Sequence, residues 1–291
     1  MEKTNKKRNL MKRIMLMLCA AVVAISTVLG NGITEVKAAS KTKTVFNVYS
    51  YNQATSKKVK LDLTGNGKKD VVKFVAHMYG SEQIDKFSIE VNGKQQTFKF
   101  KDFVYGVTAK YVKISSKRVF LMLETIGNSD LNEVSAIYKY DQKSKKLKKV
   151  LSLESEYESW ATPQSGACHI YTDKITSVKN KLKVNYSGQI VAVGLVKWTK
   201  TYRYNGSKFV AEKSSVSVKG EKSYIACKSI PVSTSVKSSN TKFYIPNGGK
   251  VKIKKICKYK NQYYLLVSYN GKKGWMKGDT SDCFKGVQLF G

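Results

Sequence analysis

Arginine, proline and histidine are scarce in this chain of 291 residues. The three prolines leave few positions at which a strand ladder would lose a backbone donor. Only four arginines occur, Arg8, Arg13, Arg118 and Arg203. Arginine supplies the planar, bidentate donor that commonly reads base edges, so its scarcity argues against a nucleic-acid partner. No stretch after the N-terminal segment combines an apolar period of 3.6 residues with caps at both ends, so helices are not expected.

Residues suited to catalysis are also few and poorly placed. The two histidines are His77 and His169. Cys168 and His169 are adjacent, and neighbouring side chains in a strand point to opposite faces, so they form no nucleophile–base pair. Glu154, Glu156 and Glu158 would share one strand face, a pattern more typical of an exposed acidic edge than of a site. We interpret the protein as a binding protein and not an enzyme.

Acidic residues are outnumbered by basic ones, 20 against 53, for a formal net charge of +33. Residues 1–38 hold seven basic and two acidic residues, so their removal leaves about +28. Such a charge favours an anionic partner, which in an exported protein is a wall polymer, an acidic polysaccharide or a membrane surface. The alternative is that the lysines only keep the chain soluble.

Residues 1–38 have the pattern of a signal peptide. A cationic stretch reaches Arg13, an apolar run extends from Ile14 to Leu29, and small residues follow at Ala38 and Ala39. The run is shorter than the ~20 residues that a spanning helix needs. We expect secretion, a mature N-terminus near Ala39 and no stable membrane span after cleavage; an uncleaved anchor is the alternative.

Four cysteines follow the predicted cleavage site, namely Cys168, Cys227, Cys257 and Cys283. They allow three full pairings, among which the sequence does not choose, and buried thiols fit equally well.

The apolar pattern predicts an all-β fold. Val59, Leu61 and Leu63 alternate, and Val119 to Leu123 is an apolar run of buried-strand length. Three Asn-Gly pairs, Asn92-Gly93, Asn205-Gly206 and Asn270-Gly271, suit the type I′ turn of a hairpin. We predict a β domain over residues 39–215, a polar linker over 216–223 and a small β barrel over 224–291.

The run from Asp62 to Asp70 directs five oxygens toward one centre, those of Asp62, Thr64, Asn66, Asp70 and the Lys68 carbonyl. It resembles the calcium loop of FG-GAP/VCBS-type β-propeller repeats, which implies a propeller-like or meander β domain that binds outside the cell. With two carboxylates, any Ca²⁺ site should be weak. The alternative is an Asx-type turn in which Asp62 and Asn66 cap backbone amides without metal.

A second resemblance covers about residues 224–285. Ile230 to Thr234 opens it, and Gly248 to Ile253 has the form G-x-x-V-x-I. The aromatic-rich run from Tyr263 to Tyr269 then leads into Asn-Gly-Lys-Lys-Gly-Trp-Met, which ends at Met276. These elements resemble a bacterial SH3-like domain, which implies a barrel that binds peptidoglycan or another wall component. The candidate ligand-binding residues are Tyr259, Tyr263, Tyr269, Lys272, Lys273 and Trp275. Packing is the alternative role for the aromatic residues.

The C-terminal part is strongly basic, with fourteen lysines and two acidic residues from Lys222 to Gly291. The sequence therefore predicts a secreted, cell-wall-associated protein whose basic SH3-like domain binds peptidoglycan or an anionic wall polymer. The alternative is an accessory or inhibitor protein that binds another exported protein through the β domain, and a degenerate hydrolase is a third interpretation.

Overall fold

The computed structural model describes residues 41–49, 55–80, 82–127, 134–153, 156–157, 165–220 and 222–289. The secondary-structure elements of the described residues are all β-strands, so the all-β prediction is confirmed. The predicted signal peptide lies outside the described residues. The first eight strands are β1 (Lys41–Tyr49), β2 (Ser56–Leu61), β3 (Asp70–Tyr79), β4 (Gln83–Val91), β5 (Lys94–Ser115), β6 (Arg118–Gly127), β7 (Ser135–Asp141) and β8 (Lys146–Ser152).

The remaining strands are β9 (Glu156–Tyr157), β10 (Ala167–Val178), β11 (Lys181–Ile190), β12 (Gly194–Tyr204), β13 (Phe209–Ala211), β14 (Ser215–Lys219), β15 (Ser223–Ile225), β16 (Ile230–Ser233), β17 (Thr241–Ile245), β18 (Lys250–Tyr259), β19 (Gln262–Tyr269) and β20 (Lys272–Lys277).

The first sheet contains β1 to β8 and is antiparallel. Strands β2 to β8 follow one another in chain order, and β1 pairs with β5. β5 is 22 residues long, so it pairs with β4 through its first half and with both β1 and β6 through its second half. The Gln96 side chain of β5 reaches β8, where it accepts the Leu147 amide at 2.7 Å and donates to the Leu147 carbonyl at 3.3 Å. A side-chain amide therefore links β5 to β8.

The second sheet has the order β17-β16-β20-β19-β18-β14-β12-β11-β10-β9, with β13 on β12 and β15 on β18. All its pairings are antiparallel. Among the described strands neither sheet closes into a barrel. The propeller and the SH3-like barrel therefore stay predictions.

The segment predicted as a linker contains most of β14, which lies between β12 and β18 in the second sheet. β14 pairs with β12 through Lys219 and Val218, and with β18 from Ser215 to Ser217. Residues 40–291 form one compact unit. Ordered pairing on both sides explains why this polar stretch is a strand, while the division at 215 and 224 stays a prediction.

The backbone around Gly166 crosses close to the backbone of the C-terminal strands and is hydrogen-bonded to it. The Ser165 carbonyl accepts the Tyr263 amide at 2.8 Å, and the Gly278 carbonyl accepts the Ala192 amide at 2.9 Å. Gly166 has φ of +78°, and a Cβ there would lie 2.5 Å from the Asp279 amide nitrogen. Only glycine fits this crossing without moving the backbone.

Two of the three Asn-Gly pairs form the predicted turn. Asn92-Gly93 joins β4 to β5 with φ of 49° and 80°, and Asn270-Gly271 joins β19 to β20 with φ of 43° and 76°. Two left-handed residues are the signature of type I′.

Asn205-Gly206 also lies in a hairpin, but the turn differs from the prediction. The loop between β12 and β13 has four residues, and Asn205 is not left-handed. The Asn205 side chain instead accepts the amides of Ser207 at 3.1 Å and Lys208 at 2.9 Å. This side-chain cap stabilises a longer turn than the type I′ turn that the pair suggested.

Strand β6 is buried on both faces. Every residue from Val119 to Leu123 is at most 2% exposed. Phe120 faces the second sheet, with ring centroids 5.0 Å from Tyr204 and 4.8 Å from Phe209. Leu121 belongs instead to the core enclosed by the first sheet. The apolar run is thus a buried strand, and its alternate residues supply two cores.

We expect Phe120→Ala to lower the free energy of unfolding by about 3–5 kcal/mol, because it leaves a cavity where the two sheets meet. Urea denaturation of the purified protein measures this loss. The control is Tyr244→Ala, which removes an aromatic ring that is 61% exposed and should change stability by less than about 0.5 kcal/mol. Equal effects of the two variants would contradict a role for Phe120 in joining the sheets.

Candidate functional site

A cleft of about 500 Å³ lies on the second sheet, among β16, the β16–β17 connection, the β18–β19 turn and β20. We call it the aromatic–lysine cleft, after three aromatic residues, Tyr259, Tyr264 and Trp275, and three lysines, Lys237, Lys260 and Lys277. Hydroxyl side chains also line it, those of Ser233, Ser238, Ser239, Thr241 and Thr280. No Asp or Glu is among the lining residues described. The cleft therefore offers aromatic rings, hydroxyls and positive charge.

Strand alternation places the aromatic residues at the cleft. In β19 the side chains of Tyr263, Leu265 and Val267 are buried, so Tyr264 lies on the opposite face. Tyr264 stands opposite Lys277 in β20, and Trp275 stands opposite Ser233 in β16. Trp275 is half-buried, which lets part of its indole ring meet a ligand.

Two lysines lie near the ring of Tyr259 at the cleft wall. The Lys237 Nζ is 6.0 Å and the Lys260 Nζ 5.9 Å from the ring centroid. A cation over an exposed aromatic face gains about 0.5–1 kcal/mol, so the ring helps to hold two like charges near one another. Lys237 and Lys260 come from separate turns, and the fold brings them together.

The six predicted ligand residues separate into three positions. Tyr259 and Trp275 line the cleft, whereas Lys272 and Lys273 are exposed on the β19–β20 hairpin and are not among its lining residues. Tyr263 is 1% exposed and its ring centroid lies 6.4 Å from that of Trp198, so it is a core residue. Tyr269 packs against the same core. Packing, the alternative weighed for these tyrosines, is the role that the fold gives to Tyr263 and Tyr269.

Of the six aromatic and lysine residues of the cleft, four were not singled out from the sequence, namely Tyr264, Lys237, Lys260 and Lys277. Period-two alternation in β19 shows that Tyr263 and Tyr264 occupy opposite faces, but it does not show which face is the core. Nothing local in the sequence indicates that Lys237 approaches the β18–β19 turn.

The basic surface contains lysines directly opposite one another on neighbouring strands. These register pairs include Lys58 with Lys73, Lys86 with Lys99 and Lys197 with Lys219. Opposed like charges destabilise a sheet, by roughly the 0.2–1 kcal/mol that opposed unlike charges contribute. Lys197 and Lys219 are both exposed, so the repulsion between them is relieved by salt or by an anionic ligand.

We expect Lys197→Glu to raise the free energy of unfolding by about 0.5–1 kcal/mol at low salt, because it turns the repulsion by Lys219 into attraction. Urea denaturation at low and high salt should show the gain shrinking as screening increases. Lys285→Glu, which makes the same charge change at an exposed position without an opposed lysine, is the control. The same gain in both variants would mean that net charge, and not the pair, is responsible.

The Asp62–Asp70 loop connects β2 to β3 and is held by hydrogen bonds between its own groups. The Asp62 carboxylate accepts the amides of Asn66 and Gly67, both at 3.1 Å. The Asn66 side-chain oxygen accepts the Lys68 amide at 2.8 Å. These are the caps that the metal-free alternative predicts.

Asp70 binds the start of the loop to a neighbouring turn. This side chain is 5% exposed, and its Oδ2 accepts the amides of Leu63 and Thr64, both at 2.8 Å. Its Oδ1 accepts the Asn92 side-chain amide at 2.8 Å, and the Asn92 oxygen in turn accepts the Val71 amide at 2.9 Å. The loop and the β4–β5 turn are thus joined through one carboxylate.

The two glycines of the loop are left-handed. Gly67 has φ of +86°, and Gly65 has φ of +73°. A Cβ on Gly65 would lie 2.8 Å from the Lys117 carbonyl oxygen, so the loop packs closely against the β5–β6 turn.

Tyr111 lies beneath the loop and donates a hydrogen bond to the Asp62 carbonyl at 3.2 Å. Burial, followed by the negative charges of Asp62 and Asp70, raises the pKa of Tyr111 to about 12. Its hydroxyl therefore stays protonated, and stays a donor, throughout the neutral range.

The oxygen atoms of the loop are poorly placed to bind a cation strongly. Every carboxylate oxygen of Asp62 and Asp70 already accepts at least one hydrogen bond, and Asp70 Oδ2 accepts two. Within the described ranges no group of three or more His, Cys, Asp or Glu could hold a metal ion. Weak binding of Ca²⁺ by Asp62, Thr64, Asn66, Lys68 and Asp70 stays a prediction.

We expect Asp70→Ala to cost about 2–4 kcal/mol of stability, because it leaves two backbone amides and Asn92 without a buried acceptor. Asp62→Ala should cost only about 1 kcal/mol, the usual loss of a partly exposed cap. Urea denaturation of both variants gives the comparison, and equal losses would contradict the central role of Asp70.

Melting of the wild type and of Asp62→Ala in millimolar Ca²⁺ tests whether the loop binds the metal. Binding predicts that Ca²⁺ raises the melting temperature of the wild type alone.

One serine–histidine contact occurs away from the cleft. The His77 Nε2 lies 2.8 Å from the Ser88 Oγ, which lies 2.8 Å from the Thr97 Oγ1. Ser88 is 2% exposed, so a substrate has no direct access to its hydroxyl. This contact supports no catalytic role, and the absence of enzymatic activity stays a prediction.

Comparison with protein-family models, with curated proteins and with solved structures finds no match for this chain. The two resemblances therefore rest on the motifs quoted above and on no wider similarity. In the part of the chain that the structure describes, no helix has the length and apolar character needed to cross a membrane.

Proposed function

We propose that this chain is a secreted, cell-wall-associated protein that binds peptidoglycan or another anionic wall polymer through the aromatic–lysine cleft. The observation that supports this most directly is the composition of the cleft. Three aromatic rings and three lysines line it together with hydroxyl groups, and no carboxylate lies among them.

Each group in the cleft suits a part of such a polymer. Aromatic rings offer flat apolar faces on which the C–H faces of sugar rings pack, and their polar edges stay hydrated. Hydroxyls donate and accept hydrogen bonds, as sugars require. Lysines attract the carboxylates of muropeptides and the phosphates of teichoic polymers through salt-sensitive contacts. A site without acidic residues avoids repelling either anion.

The sequence motifs support the same proposal. The signal peptide pattern of residues 1–38 implies export, and the SH3-like motifs between Ile230 and Met276 imply a wall-binding domain. The opposed lysines on the sheets give further support, because an anionic polymer relieves a repulsion that the folded protein otherwise retains.

A second candidate function is favoured by one exposed aromatic pair on the first sheet. The rings of Tyr79 and Phe103 stack with centroids 4.6 Å apart, and these residues are 60% and 42% exposed. Exposed aromatic residues are enriched at protein interfaces. This pair supports the alternative of an accessory protein that binds another exported protein through its first sheet.

We expect the full mature chain to sediment with purified cell walls. Its binding should have two separable components, one that is lost as salt rises and one that resists salt. A Tyr264→Ala/Trp275→Ala variant should lose most of the salt-resistant binding, about tenfold or more, as removal of aromatic contacts at an interface centre does. A Lys237→Gln/Lys260→Gln/Lys277→Gln variant should lose low-salt binding and keep the salt-resistant part. The full chain is used because β18 is hydrogen-bonded to β14 outside the SH3-like segment.

The control replaces Lys57, Lys60 and Lys94 with glutamine, three exposed lysines of the first sheet. It removes the same charge away from the cleft. Equal loss in the control and the cleft lysine variant would show a diffuse charge effect and not a site. A wild-type chain that stays in the supernatant at low salt would contradict wall binding, and walls stripped of teichoic polymer identify which anion is bound.

A further inference from the structure

Two of the four cysteines stand opposite each other where the C-terminal segment meets the start of the cleft-bearing strands. Ala226 and Phe284 form an isolated antiparallel bridge. One residue further along, the Cys227 amide donates to the Cys283 carbonyl at 2.9 Å. Residues opposed in this way have Cα atoms about 5.5 Å apart and side chains on one face. Disulfides have the same typical Cα separation.

The other two cysteines do not stand opposite a cysteine in the strand pairings. Cys257 in β18 stands opposite Tyr264 in β19 and Ser215 in β14. Cys168 lies at a bulge in β10, between the residues that pair with Ile190 and Gln189 of β11. Both are buried, at 5% and 0% exposure. Ladder geometry thus distinguishes one cysteine pair from the remaining two residues.

We infer that Cys227 and Cys283 form a disulfide when the folded protein meets a small-molecule disulfide oxidant, and that Cys168 and Cys257 stay thiols. This inference rests on the geometry of residues 226–284 and does not depend on wall binding.

Exposure sets the order of the two exchange steps. Cys227 is exposed, so its thiolate attacks one sulfur of the oxidant and releases the other as a thiolate. Cys283 then loses its proton to solvent and attacks the Cys227 sulfur, which releases the second half of the oxidant. Two protein thiols are oxidised, and the oxidant is reduced to two thiols.

The buried partner makes the second step slow. Burial raises the pKa of the Cys283 thiol to about 12, with the nearby Lys228 acting in the opposite direction. The Cys283 sulfur also contacts the carbonyls of Thr280 at 3.2 Å and Ala192 at 3.6 Å, weak bonds that the disulfide gives up. We therefore expect a mixed disulfide on Cys227 to precede the internal bond.

The bond would enclose the strands that carry the cleft. Strands β16 to β20 all lie between Cys227 and Cys283. A cross-link around a loop of this length restricts the unfolded chain strongly, and a rise of about 10 °C in melting temperature is expected for a protein of this size.

The experiment uses the purified mature chain, reduced, desalted and incubated with oxidised glutathione in the absence of denaturant. Unreacted thiols are alkylated, and a non-reducing digest is analysed by mass spectrometry. We expect two of the four thiols to be lost, one cross-linked peptide pair containing Cys227 and Cys283, and a transient glutathione adduct on Cys227. The oxidised protein should melt about 10 °C higher than the reduced one.

Two serine variants decide the outcome. Cys227→Ser, at an exposed position that should not affect folding, is expected to keep its three alkylatable thiols and to show no rise in melting temperature. Cys257→Ser is the matched control and should still lose two thiols. A cross-link to Cys168 or Cys257, or an unchanged thiol count in the wild type, would overturn the inference.

Discussion

The packing of β6 between two cores is the constraint on which the rest of this structure depends. Phe120 and Met122 supply the core shared with the second sheet, and Leu121 and Leu123 supply the core of the first. A strand that is apolar on both faces does not set its own register by burial alone. Lys110 of β5 and Glu124 of β6 form a part-buried ion pair at 3.2 Å. A slipped register would separate these two charges, so the ion pair favours the observed register.

The local parts of the fold could be predicted because they depend on neighbouring residues. The run from Val119 to Leu123 was predicted as a buried strand, and Asn92-Gly93 as a hairpin turn, from chemistry that needs no distant partner. The β12–β13 turn is not the type I′ turn that Asn205-Gly206 suggested, because the Asn205 side chain accepts backbone amides of the loop. Residues 216–223 looked like a linker because they are polar. Residues 216–219 form a strand because they pair with β12 and with β18, and β18 is distant in the sequence.

The candidate site could be predicted only in part, for the same physical reason. Tyr259 and Trp275 were identified, but Tyr263 and Tyr264 are chemically alike, and the fold alone decides that the first is buried and the second lines the cleft. Lys237 reaches the cleft from a connection with no distinctive motif. The Asp62–Asp70 run shows a related ambiguity, because the oxygens that would coordinate a cation also serve as acceptors for backbone amides.

The crossing at Gly166 has a consequence for how such a chain can be recombined. Short C-terminal segments that carry a recognisable motif are attractive parts for grafting onto other proteins, and the motif boundaries suggest a cut near residue 224. The Ser165 carbonyl and the Ala192 amide would then lose their bonds to Tyr263 and Gly278, and the graft would expose backbone groups that are satisfied only in the intact chain. A transplantable unit must therefore carry both sides of this crossing, which makes the portable segment far longer than the motif.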